Sequence, residues 1–366
     1  MHDTAVRELH VSTYRVPTEQ PEAEGTATWD ATELVVVQPV AGDHTGLGWS
    51  YCAAPAGARV IADLLRPVVL GSDALDVPGS WQAMHQAVRN AGAPGLVSMA
   101  IAAVDLALWD LKAKLLGLPL NRLLGRCRDT VPVYGSGGFV SLTDTQLTAQ
   151  LRHWTDDVGI GQVKIKVGER WGQAPDRDLE RTRRTCAVVG NDVEVFVDAN
   201  GGYTPGQARR LGRAYDDLGV TWFDEPLSSD DLDGLALLRE HLQSDIAAGE
   251  YGDSARYAQR MCAAGAIDCL QLDVTRCAGI TEWLRAAAVA QSMSLQVSGH
   301  CAPSLHLAPA LAAPNLRHVE YFADHTRLEP MLFDGLPDLQ AGQLLPSDRP
   351  GNGMALAGRA EQYRST

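Results

Sequence analysis

Two lysines, Lys164 and Lys166, lie in "GQVKIKVGER" (161–170) among the β-branched residues Val163, Ile165 and Val167, a pattern that predicts a strand. Strand positions two apart face the same way, so both ammonium groups leave one face together. On an exposed edge, such lysines only prevent wrong pairing. Acids further along give them another use. Asp198 and Asn200 close "VEVFVDAN", Asp224 and Glu225 close "TWFDEP", and Glu250 closes "IAAGE". Asp198, Asp224 and Glu250 follow one another at intervals of 26 residues. Asp273 follows "CLQL", His300 follows "LQVSG", and Glu320 lies within "HVEYF".

A single acid after a strand is ordinarily a helix cap or a solvated loop residue. Three that converge repel and raise one another's pKa values, so a cation belongs among them. Oxygen donors of this kind suit Mg2+, which takes a few carboxylates and keeps positions for water or a substrate oxygen. The expectation is one Mg2+ per site on Asp198, Asp224 and Glu250, with the two lysines beside a substrate carboxylate. Glu225 is the alternative second ligand, but strand alternation sends it to the other face. His300 has the pattern of a satisfied buried imidazole, or of a base whose tautomer Asp273 fixes from the neighbouring strand.

The elements that must hold these groups recur along the chain. Short apolar strands begin at 131, 163, 193, 221, 246, 269, 294 and 318, with amphipathic segments such as "DRDLERTRRTCAVVG" between them. Alternating strand and helix imply parallel strands with right-handed crossovers. Eight units imply a closed barrel, with an open doubly wound sheet as the competing arrangement. The polar residues fall at the C-terminal strand ends, which meet at one face of a barrel. Before residue 128 lie two strand-like segments, "VRELHVSTYRV" and "ATELVVVQPV", a turn at "GDHTGLGWSY", and a helix over 98–117 with Ser98 as cap and Gly117 as stop. The polar "PTEQPEAEGTATWD" reads as a mobile loop.

The 366 residues carry 31 Lys and Arg against 45 Asp and Glu, a formal net charge of −14, which makes nucleic acid and anionic membranes poor partners. Seven cysteines without CxxC spacing point to reduced thiols in a cytoplasmic setting. "MHDTAVRELHVSTYRVP" has no apolar signal core, and no stretch approaches a membrane span.

Taken together, the helix "AIAAVDLALWDLKAKLLGLPLNRLLG" and the segments "VKIKVG", "VDANGGY", "WFDEP", "AGE", "LQLDVTRCAGITEWLRAA", "SGH" and "HVEYF" resemble the mandelate racemase subgroup of the enolase superfamily. The resemblance implies an α/β fold, a modified TIM barrel of (β/α)7β type. An α+β capping domain from residues 1–128 and the tail 326–366 would cover the barrel of residues 129–325. It implies metal ligands at Asp198, Asp224 and Glu250, a base at Lys166 with Lys164 on the substrate carboxylate, a His300–Asp273 dyad, and an electrophilic acid at Glu320. The second ligand is commonly Glu in that family and is Asp here. Lid loops would fall on "TEQPEAEGTATWD" and "GDHTGLGWSY", and a homo-oligomer is expected.

The implied first step is abstraction of the proton α to a carboxylate, with Lys164, Glu320 and the cation stabilising the enediolate. Enolase-type sites combine a Lys or His base with Mg2+ in this way. Lys166 must be neutral to act as base, and lysines tuned to about 7–8 are known. Elimination of water from an acid sugar to a 2-keto-3-deoxy acid comes first among the outcomes. Racemisation or epimerisation is second, cycloisomerisation of a lactone third, and a non-catalytic metal or sugar-acid binding barrel is the reading of another class. Substrate contacts are expected from Asn200 and Tyr51, with Trp49, His44, "YGSGG" (134–138), Asp324, His325 and Arg327 as further candidates.

Overall fold

All eight expected barrel strands form in the computed structural model, which describes residues 4–365. They are β5 (Val131–Gly137), β6 (Gln162–Lys166), β7 (Glu194–Asp198), β8 (Val220–Asp224), β9 (Asp245–Ala248), β10 (Cys269–Leu272), β11 (Gln296–Gly299) and β12 (Leu316–Phe322). They pair in parallel in chain order, and β12 returns to β5 with Glu320 opposite Tyr134, which closes the ring. Helices fill the seven connections, giving the (β/α)7β arrangement.

Alternation along the strands sorts the side chains. Val163, Ile165, Val195 and Val197 belong to the large core outside the ring. Tyr134, Phe196, Trp222, Ala247 and Cys269 form a separate buried cluster within it, and His318 packs against its aromatic rings. Two residues beyond Phe196, Trp222 and His318 come Asp198, Asp224 and Glu320, so the same faces carry a charged layer above an aromatic one. The register places Lys166 opposite Asp198, and Asp198 opposite Asp224, at one level of the rim.

The N-terminal residues build an antiparallel sheet from β1 (Glu8–Ala23), β2 (Thr28–Ala41), β3 (His44–Thr45) and β4 (Gly48–Tyr51). The segment expected to be a mobile loop is partly paired. After an irregularity between Pro17 and Glu22, Glu22 and Ala23 pair with Trp29 and Thr28, leaving only a tight turn. Its polar composition reflects a solvated ribbon rather than unpaired backbone. The expected second lid is also corrected: β4 is buried against the helix Leu96–Leu115. A Cβ on Gly48 would lie 2.4 Å from the Ala107 backbone nitrogen, so only glycine permits that approach. The same helix begins at Leu96 with Gly95 at its N-cap, and Ser98 lies in its first turn, bonded to Gly95 and Arg276 carbonyls.

The C-terminal residues return to both parts. Gln343 and Leu344 pair antiparallel with Pro132 and Val131 at the start of β5, and Arg364–Ser365 pairs with β1. Buried Asp105 on the long helix accepts from Thr281 Oγ1 (2.6 Å) and N (3.0 Å) at the start of the helix Ile280–Ser292, joining cap to barrel. No helix among the described residues is long and apolar enough to cross a membrane, and the seven cysteines are free.

Candidate active site

A cavity of about 310 Å³ lies between the C-terminal rim of the barrel and the β1–β2 hairpin. Lys166, Asn200, Glu250, Asp273 and His300 line it from the barrel and Tyr51 from the cap. Lys164 lies beneath, with no exposed side-chain surface. Its Nζ is 2.6 Å from Asp224 Oδ2, 2.9 Å from Glu320 Oε1 and 3.2 Å from Asp198 Oδ2. Burial works against its charge, but Asp224 and Glu320 outweigh that and hold it well above the usual lysine range. Lys166 Nζ lies 2.7 Å from Asp198 Oδ2 and 3.9 Å from Glu24 Oε2. Burial again opposes charge, and Asp198 and Glu24 prevail, so its pKa is raised. The neutral lysine expected from sequence is therefore not its state while Asp198 is free to pair with it.

His300 follows β11, where Cys301 and Ala302 take left-handed φ values of 50° and 39° and turn the chain at the rim. Its Nδ1 is 2.8 Å from Asp273 Oδ2, while Asp273 Oδ1 accepts from Thr275 N and Oγ1, both at 2.7 Å. Despite burial, the His300 hydrogen bond draws Asp273 down to about 2. His300 Nε2 faces Glu250 Oε2 at 3.2 Å and Glu320 Oε2 at 3.6 Å. Burial disfavours the imidazolium, but Cys301, Glu250 and Glu320 outweigh it and hold His300 well above its ordinary value. Glu320 accepts from Cys301 N at 2.9 Å. Against burial, Lys164 and His300 keep it below the usual carboxylate range, so it is ionised here rather than the acid expected from sequence. A second anion beside it would reverse that tendency.

The acids test whether a cation fits. Asp224 Oδ1, Glu225 Oε1 and Asn200 Oδ1 are buried without hydrogen-bond partners, while Glu250 Oε2 has only His300 Nε2 at 3.2 Å. Burial, and then Asp198 and Glu250, raise Asp224 to about 7 even with Lys164 in contact. Burial and Glu250 push Glu225 well above its ordinary value. Orphaned buried oxygens that repel one another mark a place where positive charge is missing, and an all-oxygen set suits a hard divalent ion. Alternation ends at Asp224, because Glu225 takes φ +39°. Glu225 is buried and interacts with the same acids instead of facing away. Ligand-type atoms of His300, Cys301 and Glu320 fall within 4.8 Å of one another; those of Asp198, Asp224 and Glu250 do not close to that spacing, and the two aspartates are each paired with a lysine.

The specificity candidates divide. Tyr51, Asp324 and His325 line the cavity. Trp49 is buried against Phe333, with ring centroids 4.0 Å apart, and His44 is exposed on β3. Arg327 reaches the cavity only through Asp324. The glycines of 134–138 serve packing, since a Cβ on Gly135 would meet the Trp154 ring at 2.5 Å. Residues not singled out from sequence also belong here. Arg276 bonds Glu250 at 2.8 Å, and its place three residues after Asp273 was the available signal. Glu24 and Trp29 come from the hairpin taken for a loop, and Cys301 lies 3.3 Å from His300 Nε2.

Comparison with known proteins agrees with this architecture. Residues 7–125 match the model for the mandelate racemase / muconate lactonizing enzyme N-terminal domain, and residues 146–360 match that for the enolase C-terminal domain-like family. The chain is 32% identical to an L-talarate/galactarate dehydratase of Salmonella typhimurium, over 87% of this chain and 79% of that one. A mandelate racemase/muconate lactonizing enzyme-like protein from Rubrobacter xylanophilus superposes with TM-score 0.95 at 44% identity, covering 99% and 100% of the two chains. A racemase from Streptomyces coelicolor, solved with bound magnesium, gives 0.92 at 28% identity, covering 98% and 100%.

Proposed function

Since the chain belongs to the mandelate racemase/muconate lactonizing enzyme family of the enolase superfamily, we propose that it is a Mg2+-dependent enzyme. It removes the proton α to a carboxylate and then eliminates water from an acid sugar, giving a 2-keto-3-deoxy acid. The supporting observation is the placement of Lys166 and the His300–Asp273 pair on one cavity, above buried carboxylate oxygens that lack partners.

Asp198, Asp224 and Glu250 would hold the ion, with Glu225 a fourth carboxylate in reach. Bound there, Mg2+ neutralises the acids and withdraws charge from the substrate carboxylate, which makes the α-hydrogen more acidic. Lys164, charged and beneath the cavity, donates to a carboxylate oxygen as negative charge develops on it. Lys166 accepts the α-proton once Asp198 no longer pairs with it. His300, held protonated and fixed through Nδ1 by Asp273, gives its Nε2 proton to the departing hydroxyl. Lys166 and His300 stand on β6 and after β11, well separated around the ring, so they address different sides of one carbon. That separation also supports racemisation, with His300 returning a proton to the opposite face.

The test is a panel of aldonates and aldarates incubated with protein and Mg2+, assayed for 2-keto acid. Product that disappears with chelator is expected. A Mg2+-dependent thermal shift with no turnover across the panel would instead favour a binding protein.

A further inference from the structure

Three acids outside the reaction centre also line the cavity. Glu24, at the β1–β2 turn, accepts from Thr26 Oγ1 at 2.9 Å. Glu33 on β2 accepts from Ala54 N at 3.1 Å through Oε2. Asp324, after β12, accepts from Thr32 Oγ1 and, at 2.6 Å, from Arg327. The cations on the cavity wall belong to its barrel side: Lys166 pairs with Asp198 and lies 3.9 Å from Glu24, and Arg276 pairs with Glu250 and Asp273.

His325 is neutral. The Ala302 N–H donates to its Nδ1 at 3.0 Å, so that nitrogen carries no hydrogen. Burial agrees, lowering its pKa to about 4. The ring stacks on Tyr51 with centroids 3.6 Å apart, and its Nε2–H is left as a donor for a ligand. The cap side of the cavity thus offers carboxylate acceptors, one neutral N–H donor, and the rings of Trp29 and Phe322. No uncommitted cation is among its described lining residues.

We infer that the substrate is a monocarboxylic acid whose far end is a neutral hydroxylated chain, and that Glu24 and Glu33 exclude acids bearing a second carboxylate, with Asp324 an acceptor for its hydroxyls. Hydroxyls donate to the carboxylates and accept from His325. A second carboxylate would be desolvated beside Glu24 and Glu33 with no cation on the cap side to meet it, which is how a site rejects the wrong ligand. This rests on the enolisation chemistry proposed above, with the acid group's end at Lys164 and Lys166.

The test compares aldonates with aldarates of equal carbon number. Turnover is followed with the Mg2+-loaded wild-type enzyme, and binding by calorimetry with Mg2+-loaded Lys166→Met. An aldonate preference of about 100-fold is expected in both, in line with the cost of juxtaposed like charges. The double variant Glu24→Gln/Glu33→Gln should narrow it about tenfold. Aldarates bound or turned over as well as aldonates would overturn the inference while leaving enolisation standing, as would binding of neither class. An unchanged preference in the double variant would overturn the assignment to these acids. Aldonate-selective binding without turnover on any acid would uphold the substrate class and overturn enolisation instead.

Discussion

Asp273 has both carboxylate oxygens in use, one on His300 and one on Thr275. It therefore fixes the imidazole and supports its positive charge. Asp273→Asn keeps the shape but loses the charge, and should lower kcat by about 100-fold or more, the scale of a positioned acid or base. Steady-state kinetics beside a thermal melt check this; an unchanged kcat in a folded variant would remove Asp273 from the proposed mechanism. The groups that end strands were legible because a barrel collects such ends at one face, whatever lies between them. Protonation was not legible. Whether Lys166 is charged depends on Asp198 and Glu24 from two other elements, and the turn at Glu225 depends on one backbone angle.

Elements were read well where apolar runs recur and poorly where polarity was equated with disorder. The β1–β2 ribbon is polar because both faces meet solvent or the cavity, yet its backbone pairs on either side of the irregularity between Pro17 and Glu22. The segment 42–51 reads as a turn, and as a lid by family resemblance, whereas Gly48 permits β4 to contact the long helix. The helix Ala323–Leu332 carries a test of its own. Burial raises its Glu329 to about 7, while Ser304 and Tyr51 donate to it at 2.6 and 3.3 Å. A folded pKa above the ordinary value means that stability present at low pH is lost as pH rises from the carboxylate range through about 7. Glu329→Gln keeps a polar partner without that titration. Melts should therefore show little difference from wild type at pH near 5, and a variant more stable by on the order of 2 kcal/mol at pH near 8. An equal difference at both pH values would place the ionisation of Glu329 elsewhere.

At the scale of the whole molecule, cap and barrel are bound together by the Asp105–Thr281 contacts and the returning C-terminus, and the cavity between them takes residues from both. In the proposed function the cap contributes recognition and the barrel contributes the reacting groups. Lys164, Lys166, Asp198, Asp224, Glu250, Asp273, His300 and Glu320 meet at the rim because eight strands close a ring, a consequence of repeat count that the chain's periodicity carried. The cap's acids were hidden because no period links them to the rim. The central claim is that Lys166 removes the α-proton and His300 acts as acid from another side of the same substrate, beside a cation. The most direct measurement is α-hydrogen exchange in D2O, followed by NMR, for a substrate acid with Mg2+ and with wild type, Lys166→Ala and His300→Asn. Deuterium incorporation or deuterated product is predicted for wild type only when Mg2+ is present, with the rate falling about 100-fold or more in Lys166→Ala, and with hydroxyl loss or opposite-face exchange absent in His300→Asn. Wild-type behaviour in both variants, or exchange indifferent to chelator, would contradict it.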